Sequence, residues 1–297
     1  MKSVSVKKVS LEVEGLRLAA EVYLPRGRGA HPAVCICHGV PAKRTPDPTD
    51  RGYPLLAERF SEEGFISFIF NFRGTGESEG NFDMLGWTLD LTAAIDYLFQ
   101  LDAADKSRLS LMGFSGGAMA SVYCAAKDKR VSSMVACACP ARFFDISEFS
   151  RIEEFLAHCR QVGIIRDGNF PPSVEKWARG FDEVRPVKWI HRISPRPLLI
   201  VHGDSDQTVP LSHAWELYRR AKEPKGISII PGAEHKLRLS ESAMNTALAW
   251  LKKVNGLDGG GSMAPSSGSS RIKGKVLLVN PNQLGSPIYE HRHEGNQ

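Results

Sequence analysis

Apolar positions along the chain change period several times, and each change marks an element. "SVKKVSLEVEG" and "LRLAAEVYLP" alternate apolar and polar residues and meet at Gly15, which predicts a β-hairpin of two half-buried strands. "PAVCICHG" is a continuous apolar run of strand length, the pattern of a strand covered on both faces. "YPLLAERFSEEG" predicts a helix ending near Gly64, and "FISFIFNFRG", β-branched and aromatic, a further buried strand. Trp87, Leu91, Ala94, Ile95 and Leu98 then recur at helical spacing. "RLSLMGFS" predicts a strand, "GGAMASVYCAAKD" a helix and "VSSMVACACP" a strand. After residue 141 the alternation breaks. A helical stripe of Phe149, Ile152, Phe155, Leu156 and Cys159 is followed by the proline-rich "GNFPPSVEKW". Alternation resumes with "RPLLIVHGD" as strand, "SHAWELYRRAKE" as helix and "GISIIPGAEH" as strand and loop. A last helix carries Met244, Ala247, Leu248 and Leu251.

Strand and helix alternating this regularly predict an α/β fold over residues 1–255, a mostly parallel central sheet with helices on both faces. Residues 141–192 are then an insertion. It leaves the sheet near the end of a strand, which suits a small helical lid over the edge where such sheets bind ligands. The plainer reading is an insertion that only packs. Residues 256–270, "GLDGGGSMAPSSGSS", have the composition of a flexible linker. The tail, 271–297, holds one strand-like run, "KVLLVNP", without a partner, and is expected to stand outside the fold.

Composition narrows the function. Of 297 residues 42% are hydrophobic and 24% charged, as in a globular protein with a large core. The net charge is +5, with Lys and Arg interspersed among Asp and Glu, so no basic stripe points to nucleic acid. No stretch is apolar enough to span a bilayer, and the basic N-terminus precedes no apolar core of a signal peptide. A cytoplasmic, reducing location is expected, with no membrane partner. The six cysteines, Cys35, Cys37, Cys124, Cys137, Cys139 and Cys159, fall mostly in apolar runs. The two C-x-C pairs raise a metal site. Residues two apart on a strand merely share a face, so buried thiols are the expectation, with no metal and no cofactor.

The chemistry centres on "LMGFSGGAMA" (Leu111 to Ala120). A serine hydroxyl is a poor nucleophile until a base takes its proton, an acid orients the base, and donors receive the oxyanion. Here Ser115 sits between Gly113 and Gly117 where a strand runs into a helix, so it would occupy the tip of a sharp, strained turn. On a parallel sheet the acid and base should each follow a later strand, in that order. "LLIVHGDSDQTVP" supplies Asp204 and Asp206, and "IIPGAEHKL" supplies His235. Each residue alone is ordinary: a loop Asp usually forms a turn, and a loop His usually faces solvent. Together and in order they point to a nucleophilic triad. The loop in "CICHGV" offers the Val40 backbone N–H for an oxyanion, with His38 and Gly39 shaping that loop.

Four stretches carry a resemblance: "CHGVP", "NFRGTGESEG", "GFSGG", and "HGDSDQTVP" with "GAEH". Over about residues 8–254 the chain resembles the α/β-hydrolase superfamily, in the broad group of dienelactone-hydrolase-like proteins, serine aminopeptidase-like proteins and small cinnamoyl esterases. The resemblance implies the α/β-hydrolase fold and serine hydrolysis. It picks Asp206 over Asp204 and His235 over His202 and His213, and it places a second oxyanion donor at Gly116. Many relatives carry Asp at the position of Asn71, a departure outside the triad.

The leading expectation is hydrolysis of a small-molecule carboxylic ester through an acyl-enzyme. An aminopeptidase or acyl-peptide hydrolase would use the same triad but needs acids for the substrate's ammonium, and Glu153 and Glu154 are the candidates. On an amphipathic helix these are more often solvated. Phe143, Phe144, Phe149, Trp177 and Phe181 offer aromatic surface for an apolar acyl pocket. A non-catalytic binding protein on the same fold is a third reading. The Asp nucleophile of haloalkane dehalogenases is argued against by Ser115.

Overall fold

The computed structural model describes residues 4–42, 50–143 and 149–258. The chain divides into Met1–Gly261 and Ser262–Gln297. The second unit, with the expected tail, lies outside the described residues.

Eight strands form one sheet: β1 (Ser5–Val13), β2 (Leu16–Leu24), β3 (His31–Cys37), β4 (Ile66–Phe70), β5 (Ala104–Phe114), β6 (Val131–Cys137), β7 (Leu198–Gly203) and β8 (Lys225–Ile230). Their order is β1-β2-β4-β3-β5-β6-β7-β8. β2 runs antiparallel to β1 and β4, and every other pairing is parallel. The α-helices among the described residues are α1 (Gly52–Glu62), α2 (Met84–Gln100), α3 (Gly116–Lys127), α4 (Phe149–Gln161), α5 (Val174–Glu183), α6 (Pro186–Trp189), α7 (Leu211–Arg220) and α8 (Glu241–Val254). Apolar residues of α2, α3 and α7 join one core, and those of α1 and α8 join the core on the opposite face. Two covered faces explain the uninterrupted apolar runs of β3 and β5. The chain steps from β3 to β4 on one side and to β5 on the other. The crevice between β3 and β5 is therefore a topological switch point, where open α/β sheets bind ligands.

The expected hairpin closes at Glu14 and Gly15, with φ of 50° and 78°, the two positive values a tight hairpin turn requires. β5 begins at Ala104, four residues ahead of the expected strand, because the buried Ala104 pairs with His31; the register then shifts across the polar residues 105–108 and pairing resumes at Leu109. The proline-rich stretch ends in an unanticipated helix, α5. Ser173 caps it by accepting the Lys176 N–H at 3.3 Å, and Trp177, Ala178 and Phe181 form its buried stripe. Cys35 and Cys37 do share a face, sulfur to sulfur 4.0 Å. Cys137 and Cys139 do not: Ala138 has a φ of 46°, which turns the two thiols into opposite cores. All six cysteines are buried and free.

The expected linker starts one residue into a helix stop. Gly256, at φ 67°, follows α8. Leu257 donates its N–H to Lys252 O at 2.9 Å and lies near Gly64, so the fold runs through Leu257. The insertion after β6 is tied down at its middle. The Arg166 guanidinium donates to the carbonyls of Gly74, Gly76 and Ser78, and Asn81 accepts the Arg166 and Asp167 N–H groups. No helix among the described residues is long and apolar enough to cross a membrane. Nor do three His, Cys, Asp or Glu side chains among them group as metal ligands.

One buried ion pair joins the hairpin to this frame. Arg73 donates Nε and a terminal nitrogen to Asp90 of α2, at 2.9 and 2.7 Å, and reaches Glu14 at 2.9 Å. Asp90 is fully shielded and Arg73 nearly so. Asp90→Ala leaves the guanidinium with only the exposed Glu14, and is expected to lower unfolding free energy by about 3 kcal/mol or more. Urea titration checks this; a loss below about 1 kcal/mol would show that the pair is replaceable.

Candidate active site

β5 ends at Phe114 and α3 starts at Gly116, so Ser115 alone makes the turn. Its φ of 50° and ψ of −119° lie where few residues other than glycine go. The strain is held by three backbone bonds. Ser115 N–H donates to Cys137 O at 2.9 Å, and Ser115 O accepts the N–H groups of Ala118 and Met119 at 2.9 and 3.1 Å. A side chain at Gly113 would stand 2.5 Å from Ala118 Cα, and one at Gly117 would stand 2.1 Å from His38 O. Both flanking glycines are therefore forced by close approach of backbone to backbone.

The loops after β7 and β8 bring the other two residues in. His235 Nε2 lies 3.0 Å from Ser115 Oγ, and its Nδ1 lies 2.8 Å from Asp206 Oδ2. The carboxylate accepts at Nδ1, so that nitrogen carries the proton and Nε2 faces the serine with its lone pair. Asp206 Oδ1 accepts the N–H groups of Thr208 and Val209 at 2.9 and 2.8 Å. Burial works to raise the Asp206 carboxyl, but the bonds from His235 and these amides outweigh it and hold it below the ordinary value.

The neighbouring candidates have other partners. Asp204 is exposed and accepts Gly232 N–H at 2.7 Å, closing a turn. His202 is buried and donates Nε2–H to Val209 O at 2.8 Å. His213 Nδ1 accepts the Ala141 N–H at 3.0 Å, where the insertion begins.

Val40 and Gly116 come together beside Ser115. A Cβ built on Gly116 would stand 3.5 Å from Val40 N, and one on Gly39 would stand 3.1 Å from Ser115 Cβ. His38 orients this loop. Its Nε2 accepts Phe72 N–H at 3.3 Å, so its proton is on Nδ1, which donates to Gly39 O at 2.7 Å. In a planar trans peptide the C=O and the following N–H point opposite ways. Holding Gly39 O on the His38 side therefore aims the Val40 N–H away from His38.

Rings of Phe72, Trp87 and Tyr53 surround His38 with centroids 5.2, 5.5 and 6.0 Å away. Burial there pushes its pKa from 6.5 down to about 4. As pH falls the unfolded chain takes this proton first, so the stability His38 confers is complete above 6.5 and declines toward about 4. Between pH 7.5 and 4.5 the wild-type protein is expected to lose roughly 2–3 kcal/mol more than His38→Gln, measured by urea titration. Parallel losses would mean that His38 is protonated in the fold.

The insertion's aromatic residues pack on one another. Trp177 and Phe181 are 4% and 1% exposed and meet Phe82 at 6.1 and 5.7 Å, joining the core on the α2 face of the sheet. Phe143 packs on Phe155 at 4.7 Å and is half-buried. Phe144 and the side chain of Phe149 lie outside the described residues. Glu153 and Glu154 are exposed on α4, whose other face buries Ile152, Leu156 and Cys159. Asp50 and Tyr53, three residues apart, and the distant Arg238 also border the site; nothing in their local sequence marks them.

Several known proteins are similar to this chain in sequence or in fold. The uncharacterized protein PA2218 of Pseudomonas aeruginosa is 25% identical over 74% of this chain and 72% of its own length. YfhR of Escherichia coli K12, also uncharacterized, is 28% identical over 62% of this chain; the matched segment spans 57% of YfhR. Among solved structures, the alpha/beta hydrolase GrgF from Penicillium sp. sh18 superposes with a TM-score of 0.67 at 21% identity, covering 85% of this chain and 99% of GrgF. Est1E from Butyrivibrio proteoclasticus, also solved with bound ferulic acid, gives 0.61 at 20% identity over 83% of this chain and 96% of Est1E. These likenesses establish the α/β-hydrolase fold. Residues 54–258, the span from α1 through the end of α8, match the prolyl oligopeptidase family throughout, and the chain belongs to that family.

Proposed function

We propose that the protein hydrolyses carboxylic esters of small molecules through an acyl-enzyme on Ser115. The observation that carries this is the line from Ser115 Oγ to His235 to Asp206, at 3.0 and 2.8 Å, at the N-terminus of α3. In the first half-reaction Ser115 Oγ attacks the ester carbonyl and His235 Nε2 takes its proton. The carbonyl oxygen becomes an oxyanion facing the amides of Val40 and Gly116, and the helix N-terminus adds its positive end. The C–O bond then breaks, and His235 gives its proton to the departing alcohol. In the second half-reaction His235 takes a proton from water. The resulting hydroxide attacks the acyl carbon, the C–Oγ bond breaks, and His235 returns its proton to Ser115 Oγ as the carboxylic acid leaves. Asp206 stays ionised and holds the imidazole in one tautomer. No step calls for a cofactor or metal.

Est1E, with ferulic acid bound, supports an ester of an apolar or aryl acid as the substrate class. The peptidase reading is favoured by the family's name, but Glu153 and Glu154 sit on the solvent side of α4. On short-chain acyl and phenyl-type esters kcat/KM is expected to exceed that on aminoacyl amides by roughly tenfold or more. The double variant Glu153→Gln, Glu154→Gln should leave ester turnover unchanged. Better turnover of amides with a free N-terminus, lost selectively in the double variant, would install the peptidase reading instead.

A further inference from the structure

Arg238 lies three residues past His235, in a short 3-10 turn, Leu237–Leu239, that grows directly out of it: Leu237 N–H donates to His235 O at 2.8 Å. Its guanidinium makes a two-pronged ion pair with Asp50, one terminal nitrogen to each carboxylate oxygen. The two side chains are 16% and 18% exposed, so this is not a solvated surface pair. Asp50 Oδ1 also accepts Gly52 N–H at 2.8 Å, which fixes the entry to α1. The bond from Arg238 holds the Asp50 carboxyl down at about 2.

Tyr53 carries the contact to the other side of the site. The Arg238 guanidinium lies 5.2 Å from its ring centre. The ring packs edge-on against Phe114, the residue before Ser115, at 5.6 Å, and stands 6.0 Å from His38. Burial pushes the Tyr53 hydroxyl up to about 12, while Arg238 and the Gly39 amide pull the other way. The ring thus borders both Arg238 and His38, and His38 holds the Gly39 carbonyl of the loop that carries Val40. A continuous path of contacts runs from the His235 turn through Arg238, Tyr53 and His38 to Gly39, with Asp50 fixing the guanidinium in place. The residues come from segments about 190 positions apart, and they meet where a base and an oxyanion donor must keep a fixed separation.

We propose that Arg238 is a positioning residue. Through Asp50 and Tyr53 it clamps the turn bearing His235 to the loop bearing Val40, and so sets the spacing between proton acceptor and oxyanion donor. This rests on the roles given above to Ser115, His235 and Val40.

The test uses Arg238→Gln, Asp50→Asn and the double variant in the full chain, with p-nitrophenyl acetate as probe and hydrogen exchange as a readout independent of turnover. Each single change is expected to lower kcat roughly 10- to 100-fold. KM should move by less than about threefold, and the double variant should fall no further than the worse single one, because the pair acts as a unit. Exchange should quicken in peptides spanning residues 37–42 and 233–240 in all three variants. Arg238→Lys, which keeps the charge without the fork, should recover part of kcat. Unchanged exchange at 37–42 in Arg238→Gln overturns the clamp, as do losses that multiply in the double variant. A wild-type protein inert to the ester and unlabelled by a fluorophosphonate would refute the esterase reading, and the exchange data would then decide the clamp alone.

Discussion

Ser115→Ala is expected to fold normally and to hydrolyse esters at least ~10³-fold more slowly in kcat, with only the oxyanion donors and binding left to act. The change removes one oxygen and leaves the turn's backbone bonds to Cys137, Ala118 and Met119 in place. A fluorophosphonate should label Ser115 in the wild-type protein, read by mass spectrometry of its peptide, and leave Ser115→Ala unmodified. A companion variant separates chemistry from fold. Ser115→Gly also lacks the hydroxyl, yet glycine enters a φ of 50° with ψ −119° without steric cost. It should be as inactive as Ser115→Ala and more stable than the wild type by about 1 kcal/mol. Labelling at another residue, or full activity in either variant, would remove Ser115 from the mechanism.

Asp206→Asn is expected to cost about 10⁴-fold in kcat, whereas Asp204→Asn should stay within about threefold. The two carboxylates are two residues apart and do different work. Asp206 Oδ2 faces the Nδ1–H of His235, and its other oxygen takes two amide N–H groups. An asparagine keeps only one oxygen. If that oxygen faces the amides, its NH₂ meets His235 and forces the proton to Nε2, where the imidazole can no longer take one from serine. Asp204 Oδ1 accepts Gly232 N–H, a bond the amide oxygen of Asn reproduces. Comparing kcat/KM of the two variants on one ester decides the assignment. Equal losses, or a larger loss at Asp204, would overturn it.

The frame was legible because burial on two faces writes itself as apolar runs, as in β3 and β5, and because amphipathic period marks helices such as α8. The meeting of Ser115, Asp206 and His235 was legible for a different reason: each follows a strand of a parallel sheet, so topology alone carries three strand ends to one edge. Local sequence was silent where a backbone turn or a distant partner decides the outcome. The positive φ of Ala138 sends Cys137 and Cys139 to opposite faces, and no residue type there announces it. α5 hides behind two prolines until Ser173 caps it. Leu257 reads as linker until Gly64 is placed near it. Arg238 and Asp50 are ordinary charged loop residues in sequence, and only the folded chain pairs them.

The six shielded thiols give the molecule a built-in set of clocks. Burial pushes the thiols of Cys124, Cys137, Cys139 and Cys159 above their usual range, so an alkylating reagent finds little thiolate while the layers stay closed. They are spread over the layers: Cys159 in the inserted α4, Cys124 in α3, Cys137 under α1 and α8, and Cys35, Cys37 and Cys139 under the opposite face. The order in which they are alkylated during graded denaturation therefore reads out which layer of the fold parts first, without any engineered cysteine.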